Sequence, residues 1–77
     1  MSIDNDMRYS HLDIGKHVAY LRTEKGWSAY QLSLASGISN SVLTRLEKGE
    51  REPMLNTLLK VIEGLDLSPA EFFKAFK

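Results

Sequence analysis

The 77-residue chain contains no cysteine and only two prolines. Without cysteine, neither a disulfide framework nor a thiolate metal site is available, and this absence fits a reducing compartment. The chain also lacks an excess of charge of either sign, because ten basic residues balance ten acidic ones. A positively charged surface must therefore arise from the local placement of arginine and lysine side chains.

Signals for membrane targeting are lacking as well. The first ten residues are polar and acidic, and no apolar stretch follows a basic segment. This pattern argues against a secretory signal or a membrane anchor and predicts a cytoplasmic protein. The length is sufficient for one domain with a compact core, but not for a catalytic cleft between two lobes. We therefore expect the chain to bind a partner.

The apolar residues recur at helical spacing, and no segment alternates in the manner of a β-strand. An all-α fold of five short helices is therefore predicted. Residues 1–11 are expected to form a flexible arm and residues 12–77 a single helical domain. Its first helix is placed at residues 13–25, with Asp13 as the cap and Gly26 as the stop signal.

Two short helices separated by a glycine turn are predicted in the middle of the chain. Ser28 opens a capping box that starts the second helix, and Gly37 ends it. The third helix, residues 40–48, has an apolar and a polar face. The inward-facing residues are Val42, Leu43 and Leu46, and the outward-facing residues are Asn40, Ser41, Thr44, Arg45 and Lys48. This arrangement is typical of a helix-turn-helix, whose second helix enters the major groove of DNA.

Two further helices are expected towards the end of the chain. Pro53 precedes an apolar stretch that should lie mostly in the core, with Leu55, Leu58, Val61, Ile62 and Leu65 at helical positions. A capping box at residues 68–71 starts a final helix that is predicted to reach the end of the chain. One face cannot bury Phe72, Phe73 and Phe76 together. Either Phe73 and Phe76 stay partly exposed, or, as we prefer, they form an interface with a second copy.

Several motifs in register resemble the phage Cro and repressor-like (XRE-type) helix-turn-helix regulators over residues 12–67. They are Ile14-Gly15, Leu21-Arg22, Gly26-Trp27-Ser28, Leu32, Gly37-Ile38-Ser39, Arg45-Leu46-Glu47-Lys48-Gly49, Arg51-Glu52-Pro53 and Leu55. The resemblance implies a lambda-repressor-like fold that binds double-stranded DNA. The base-reading positions it implies are Asn40, Ser41, Thr44 and Arg45, and the phosphate-contacting positions are Ser28, Tyr30, Ser39, Lys48 and Arg51.

Arg22 continues the apolar face of the first helix, and Glu47 lies one turn beyond Leu43 on the third, so both are expected to point partly inward and to pair. The resemblance implies the same ion pair, which braces the motif and has a structural role rather than a contact with DNA. Two positions depart from the family pattern. Ala29 stands where the family has a glutamine that contacts a phosphate or supports the reading helix. Ser33 replaces a small alanine, and its hydroxyl needs a backbone carbonyl if it is buried.

The predicted function is a sequence-specific transcriptional regulator, either a repressor or a controller protein, that binds an inverted-repeat operator as a homodimer. One helix reads too few base pairs for good discrimination, and two copies would place their reading helices about 34 Å apart. An antitoxin-type autorepressor that also binds a toxin, and a protein-interaction module on the same fold, remain alternatives. No catalytic group, cofactor or metal is expected, because His11 and His17 do not share a helix face and no nucleophile is paired with a base.

Overall fold

Five short α-helices make up the fold in residues 9–76, the part of the chain that this computed structural model describes. They are α1 (His11–Glu24), α2 (Ala29–Ser36), α3 (Asn40–Lys48), α4 (Leu55–Gly64) and α5 (Pro69–Phe73). The predicted all-α, five-helix class is confirmed, and no strand occurs within the described range. Most of the predicted arm, residues 1–11, lies outside that range, and His11 is already the first residue of α1.

The start of α1 and the end of α5 differ from the sequence prediction. Ser10 rather than Asp13 caps α1, since it is the extended residue directly before the helix, and its N–H donates to Asp13 Oδ2 at 2.9 Å. Asp13 is the third residue of the helix and completes a capping box, so the prediction mistook one partner of the box for the other. Helix α5 stops at Phe73, because the Phe76 N–H donates to the Phe73 carbonyl at 2.9 Å and closes a tighter turn.

The turn between α2 and α3 is as short as the sequence predicted. Gly37 ends α2 in the left-handed conformation, with φ of 72°, where a side chain would be strained. The Ile38 N–H then reaches back to the Ser33 carbonyl at 3.2 Å. Ser39 follows directly as the cap of α3. The two helices therefore meet at an angle that the backbone itself defines.

Apolar side chains from all five helices form one core. The buried members are Val18, Leu32, Leu43, Leu46, Leu58, Val61, Ile62, Leu65 and Phe72. Helix α1 packs on α3, and α2 packs on both α3 and α4. Gly15 of α1 is buried against the carbonyl oxygen of Leu46, which a Cβ atom at that position would overlap. Glycine at this position therefore allows α1 and α3 to approach closely.

The sequence predicts that Val42 and Leu55 face the core, and both predictions are wrong, because the two side chains are exposed. Val42 is 39% exposed, since Leu43 and Leu46 already fill the contact between α3 and the core. Leu55 is 70% exposed at the first position of α4. Both belong to runs of apolar residues that are wider than the buried face of their helix.

An ion pair joins α1 to α3 at the edge of the core. Arg22 Nε lies 2.8 Å from Glu47 Oε2, and Arg22 Nη2 lies 3.0 Å from Glu47 Oε1. Arg22 Nη1 also donates to the Trp27 carbonyl at 2.8 Å, so the guanidinium ties the α1–α2 loop to the same point. The hydrogen bond to Glu47 raises the pKa of Arg22 above its usual value. The pair that the resemblance implied is thus bidentate and mostly buried, at 17% and 11% side-chain exposure.

Two buried serines on α2 differ in their hydrogen bonding. Ser33 Oγ donates to the Tyr30 carbonyl at 2.7 Å, which confirms the partner expected for this departure from the family pattern. Ser36 Oγ has no hydrogen-bond partner in residues 9–76. It lies against Gly64 of α4, where a Cβ atom would overlap the hydroxyl. The contact between α2 and α4 therefore contains an unsatisfied polar group.

Replacing Arg22 with methionine should lower the free energy of unfolding by about 3 kcal/mol, because the Glu47 carboxylate would be left without its partner in a mostly buried position. Arg51→Met is the matched control at an exposed arginine, and it should change that free energy by less than about 0.5 kcal/mol. Urea unfolding followed by circular dichroism measures both. Equal losses for the two variants would contradict the structural role of the pair.

Ser36→Ala should raise the free energy of unfolding by about 1 kcal/mol, because it removes a buried hydroxyl that has no partner and introduces a better helix former. Ser33→Ala removes a hydroxyl that is satisfied, and should change stability by less than about 0.5 kcal/mol. Thermal and urea unfolding of the pair provide the comparison. A less stable Ser36→Ala protein would show that the hydroxyl is in fact satisfied.

Candidate nucleic-acid interface

The face of α3 that points away from the core carries a stripe of polar side chains. Ser41, Arg45 and Lys48 are exposed and follow one another at intervals of four and three residues, so they line up along the helix. On the opposite side, Leu43 and Leu46 are buried in the core. Helix α3 is therefore fixed by one face and presents the other to solvent. We call the outward-facing polar residues of α3 the reading stripe: Asn40, Ser41, Thr44, Arg45 and Lys48.

Thr44 lies at the margin of the reading stripe and differs from its neighbours. It is half-buried, and its Oγ1 donates to the Asn40 carbonyl at 2.8 Å. Its hydroxyl proton is therefore used within the helix, so that towards a base it can only accept a hydrogen bond or offer its methyl group. Asn40 is exposed, and its side-chain amide remains available as both donor and acceptor.

Serine caps open both helices of the motif. Ser28 Oγ accepts from the Gln31 N–H at 3.1 Å, while the Ser28 N–H donates to Gln31 Oε1 at 2.7 Å. Ser39 Oγ accepts from the Val42 N–H at 3.2 Å. Each serine oxygen thus completes its helix as an acceptor. Ser28 keeps its O–H for a further contact, whereas Ser39 Oγ also lies 3.4 Å from Ser41 Oγ, within hydrogen-bond distance.

The N-terminus of α2 is open to solvent next to these caps. The N–H groups of Ala29 and Tyr30 have no acceptor among the described residues. Tyr30 is 60% exposed, whereas the methyl group of Ala29 packs against the core. Ala29 cannot supply the side-chain contact of the family's glutamine. Its backbone N–H still adds to the positive potential of the helix end, which favours an anion.

Basic and acidic side chains alternate where α3 ends. Lys48 and Arg51 are exposed, and so are Glu50 and Glu52. A shallow depression is lined by Asn40, Ser41, Thr44, Arg45, Lys48 and Glu50. The structure thus brings the four predicted base readers and one predicted phosphate contact together on one surface. The sequence reasoning did not single out Glu50, because a loop residue has no periodicity that reveals its direction.

A second groove of about 220 Å³ lies on the other side of Arg45. Its lining residues are Val42, Arg45, Leu46, Arg51, Glu52, Pro53, Met54 and Thr57. Met54 is 75% exposed, and Val42 is the exposed apolar residue of α3 itself. Arg45 therefore separates a polar surface from a partly apolar one. Only the exposure of Val42 and Met54 reveals this second surface, since the helical pattern had assigned Val42 to the core.

The two residues predicted for a dimer interface have different environments. Phe73 remains 39% exposed. Phe76 is half-buried and packs against the core, with its ring centroid 5.3 Å from that of His17 and 5.8 Å from that of Tyr9. Phe73 is therefore the residue of this pair with the larger exposed apolar surface. The ring of Phe76 packs against it at a centroid distance of 5.8 Å.

Residues 9–76 contain no cluster of three or more histidine, aspartate or glutamate side chains that could hold a metal ion. Within the same range, every helix is too short or too polar to cross a bilayer.

The chain is similar in sequence to known helix-turn-helix proteins. A helix-turn-helix family model matches residues 18–72. An uncharacterized HTH-type transcriptional regulator of Sinorhizobium fredii, y4dJ, is 36% identical over 58 residues, which cover 75% of each chain. SutR of Escherichia coli is 36% identical over 52 residues, and a Mycobacterium tuberculosis regulator, Rv0023, is 38% identical over 58. The matched region covers 29% and 23% of these two longer relatives, about a quarter of their length.

Solved structures show the same arrangement of helices. The restriction-modification controller protein C.AhdI from Aeromonas hydrophila superposes with a TM-score of 0.76 at 35% identity, covering 82% of this chain and 96% of that one. The controller protein C.Esp1396I, solved as a tetramer in complex with its natural 35 base-pair operator, gives a TM-score of 0.81 at 22% identity. That match covers 84% of this chain and 86% of the other, and at this identity it shows a shared fold.

Proposed function

The chain belongs to the XRE-type family of helix-turn-helix transcriptional regulators, and from this premise we propose that it binds an inverted-repeat operator in double-stranded DNA as a homodimer. The observation that carries the proposal is the reading stripe of α3, which the buried face of the same helix holds clear of the core. A stripe of short or forked hydrogen-bonding groups suits the edges of bases in a major groove. The likeness to the controller protein C.AhdI favours a repressor or controller role.

Direct base contacts are assigned to four residues of the reading stripe, Asn40, Ser41, Thr44 and Arg45. Arg45 is exposed between the two grooves, and its forked guanidinium fits the O6 and N7 acceptors of guanine. Asn40 has a free amide, which matches the donor and acceptor edge of adenine. Ser41 contacts either kind of base through its hydroxyl. Thr44, whose proton is held by the helix, contributes as an acceptor or through its methyl group.

Phosphate contacts are assigned to the ends of the two motif helices. Ser28, Tyr30 and Ser39 surround N-termini whose first N–H groups attract anions. Lys48 and Arg51 provide positive charge at the other end of α3. Because the chain has no net charge and Glu50 lies nearby, the electrostatic attraction to DNA comes only from these local groups. Binding should weaken steeply as salt is added.

A homodimer is the second part of the proposal. Phe73 exposes apolar surface on α5, and Leu55 and Leu59 expose one edge of α4, where they lie a single turn apart. Two copies joined through Phe73, with Phe76 packed behind it, would read both halves of an inverted repeat. Their α3 helices should then lie about 34 Å apart, one turn of the duplex.

The proposed activity is binding alone, without catalysis and without a cofactor. Because the proposed partner is genomic DNA, the proposed location is the cytoplasm, as the sequence predicts. Helix α2 also exposes Tyr30 and Leu34, at 60% and 63%. These two side chains favour the second candidate, an antitoxin-type autorepressor or interaction module that contacts another protein through α2.

Arg45→Ala should cost about 1–3 kcal/mol of binding free energy on the operator and relax the preference at one base position. Lys48→Ala should weaken binding to every sequence to a similar extent and reduce the slope of log affinity against log salt by about 1. The measurement is a titration of an operator selected from a random pool, and of a scrambled duplex, at several salt concentrations.

Lys60→Ala, at an exposed lysine of α4, is the control for Lys48→Ala and should leave both affinities unchanged. Losses that are the same on operator and scrambled DNA for Arg45→Ala and Lys48→Ala alike would contradict the division into base readers and phosphate contacts.

Phe73→Glu should shift the protein towards monomer in sedimentation velocity, because a charge would be buried without a partner in the proposed interface. Leu34→Glu, at a more exposed apolar residue of α2, is the control and should leave association unchanged. An unaltered dimer in the Phe73→Glu variant would refute this interface.

A further inference from the structure

Val42 is an apolar residue on the solvent side of α3, and the polar contacts assigned above make no use of it. Its side chain is 39% exposed, whereas that of the next residue, Leu43, is fully buried. Because Leu43 and Leu46 fill the contact with the core, core packing accounts for only part of the surface of the Val42 side chain. Helix formation does not explain it either, since a β-branched residue is a weaker helix former than alanine or a straight-chain residue.

The position of Val42 relative to Arg45 is the second observation. The two residues are three apart, so their side chains are neighbours on the helix surface, and both line the same groove. Three residues of α-helix span about 4.5 Å, close to the separation of about 3.4 Å between successive bases on a strand. If Arg45 contacts one base pair, Val42 therefore comes against an adjacent one.

Arg45 divides two surfaces of different chemistry. On one side lie Asn40, Ser41, Thr44, Lys48 and Glu50, all of which are polar. On the other side, Val42 shares its groove with the apolar residues Leu46, Pro53 and Met54, while Arg51, Glu52 and Thr57 complete the lining. A base that meets Val42 itself meets alkyl groups that cannot replace its hydrogen bonds with water.

In the major groove, the C5-methyl group of thymine is the one apolar feature on a base edge. We propose that Val42 is a specificity-determining residue that packs against the methyl group of a thymine next to the guanine read by Arg45. The inference rests on the proposed function, because it requires α3 to lie in the major groove. Isolated exposed apolar residues are common on protein surfaces, so the test must link this side chain to one methyl group.

The experiment replaces each thymine of the selected operator, one at a time, with deoxyuridine, which pairs identically and lacks only the methyl group. Affinities are measured for the unaltered protein, for Val42→Ala and for Met54→Ala. Met54 is the matched control, because it is apolar, more exposed than Val42 and lines the same groove. Since Val42 is only partly buried, the alanine variant should fold, and circular dichroism verifies this.

For the unaltered protein, removing the methyl group of one particular thymine in a half-site should lower the affinity for the operator about fivefold, as expected for exposing one methyl-sized contact to water. The loss should fall below about twofold in Val42→Ala and persist in Met54→Ala. Comparing thymine with uracil within each variant cancels any general loss of affinity or stability.

Failure of this inference differs from failure of the proposed function. If the random pool yields a preferred operator but no thymine shows a methyl effect that depends on Val42, this inference is overturned and the proposed function stands. A methyl effect that disappears in Met54→Ala but not in Val42→Ala also overturns it and assigns the contact to the loop. If the pool yields no preferred sequence at all, both fall together.

Discussion

The close contact between α1 and α3 is the constraint on which the rest of the structure depends. Gly15 lets the backbone of α1 approach the Leu46 carbonyl, and the bidentate pair of Arg22 and Glu47 closes the edge of the same contact. These interactions lie on one side of α3. Because that side is held so firmly, the other side can carry polar side chains that have no role in the core.

The turn at Gly37 adds a second restraint. It joins the C-terminus of α2 to the N-terminus of α3 by a short, defined backbone path, so the serine caps at Ser28 and Ser39 keep a constant spacing. Contacts with phosphates from these capped ends would orient α3, and contacts from its base-reading residues would then distinguish sequences. In the proposed function, a chain with no net charge would obtain both affinity and specificity from local arrangement.

Sequence patterns predict those parts of this fold that depend on neighbours along the chain. The capping box at Ser28 and the left-handed glycine at Gly37 are local features, and α2 begins and ends where these residues indicate. Helix α3 likewise spans the predicted residues 40–48. The pair of Arg22 and Glu47 is predicted from the inward-facing helical positions of both residues and from the family resemblance, although 25 positions separate them.

The features that the sequence did not reveal depend on three-dimensional surroundings. Asp13 is of a residue type that often caps helices, but here it lies inside α1 and accepts a hydrogen bond from the capping residue Ser10. Val42 continues an apolar run, yet the core ends before it reaches that side chain. The use of the Thr44 hydroxyl within α3 is likewise visible only in the structure, because a threonine on a helix can turn its oxygen inward or outward.

Amide chemical-shift mapping would show whether the exposed side of α3 contacts a DNA duplex. The ¹⁵N-labelled protein would be titrated with its selected operator at low ionic strength, where electrostatic contacts are strongest. The largest changes should fall on residues 39–48, with a second group at residues 28–30. Changes centred on other helices, with α3 unaffected, would rule out this mode of binding.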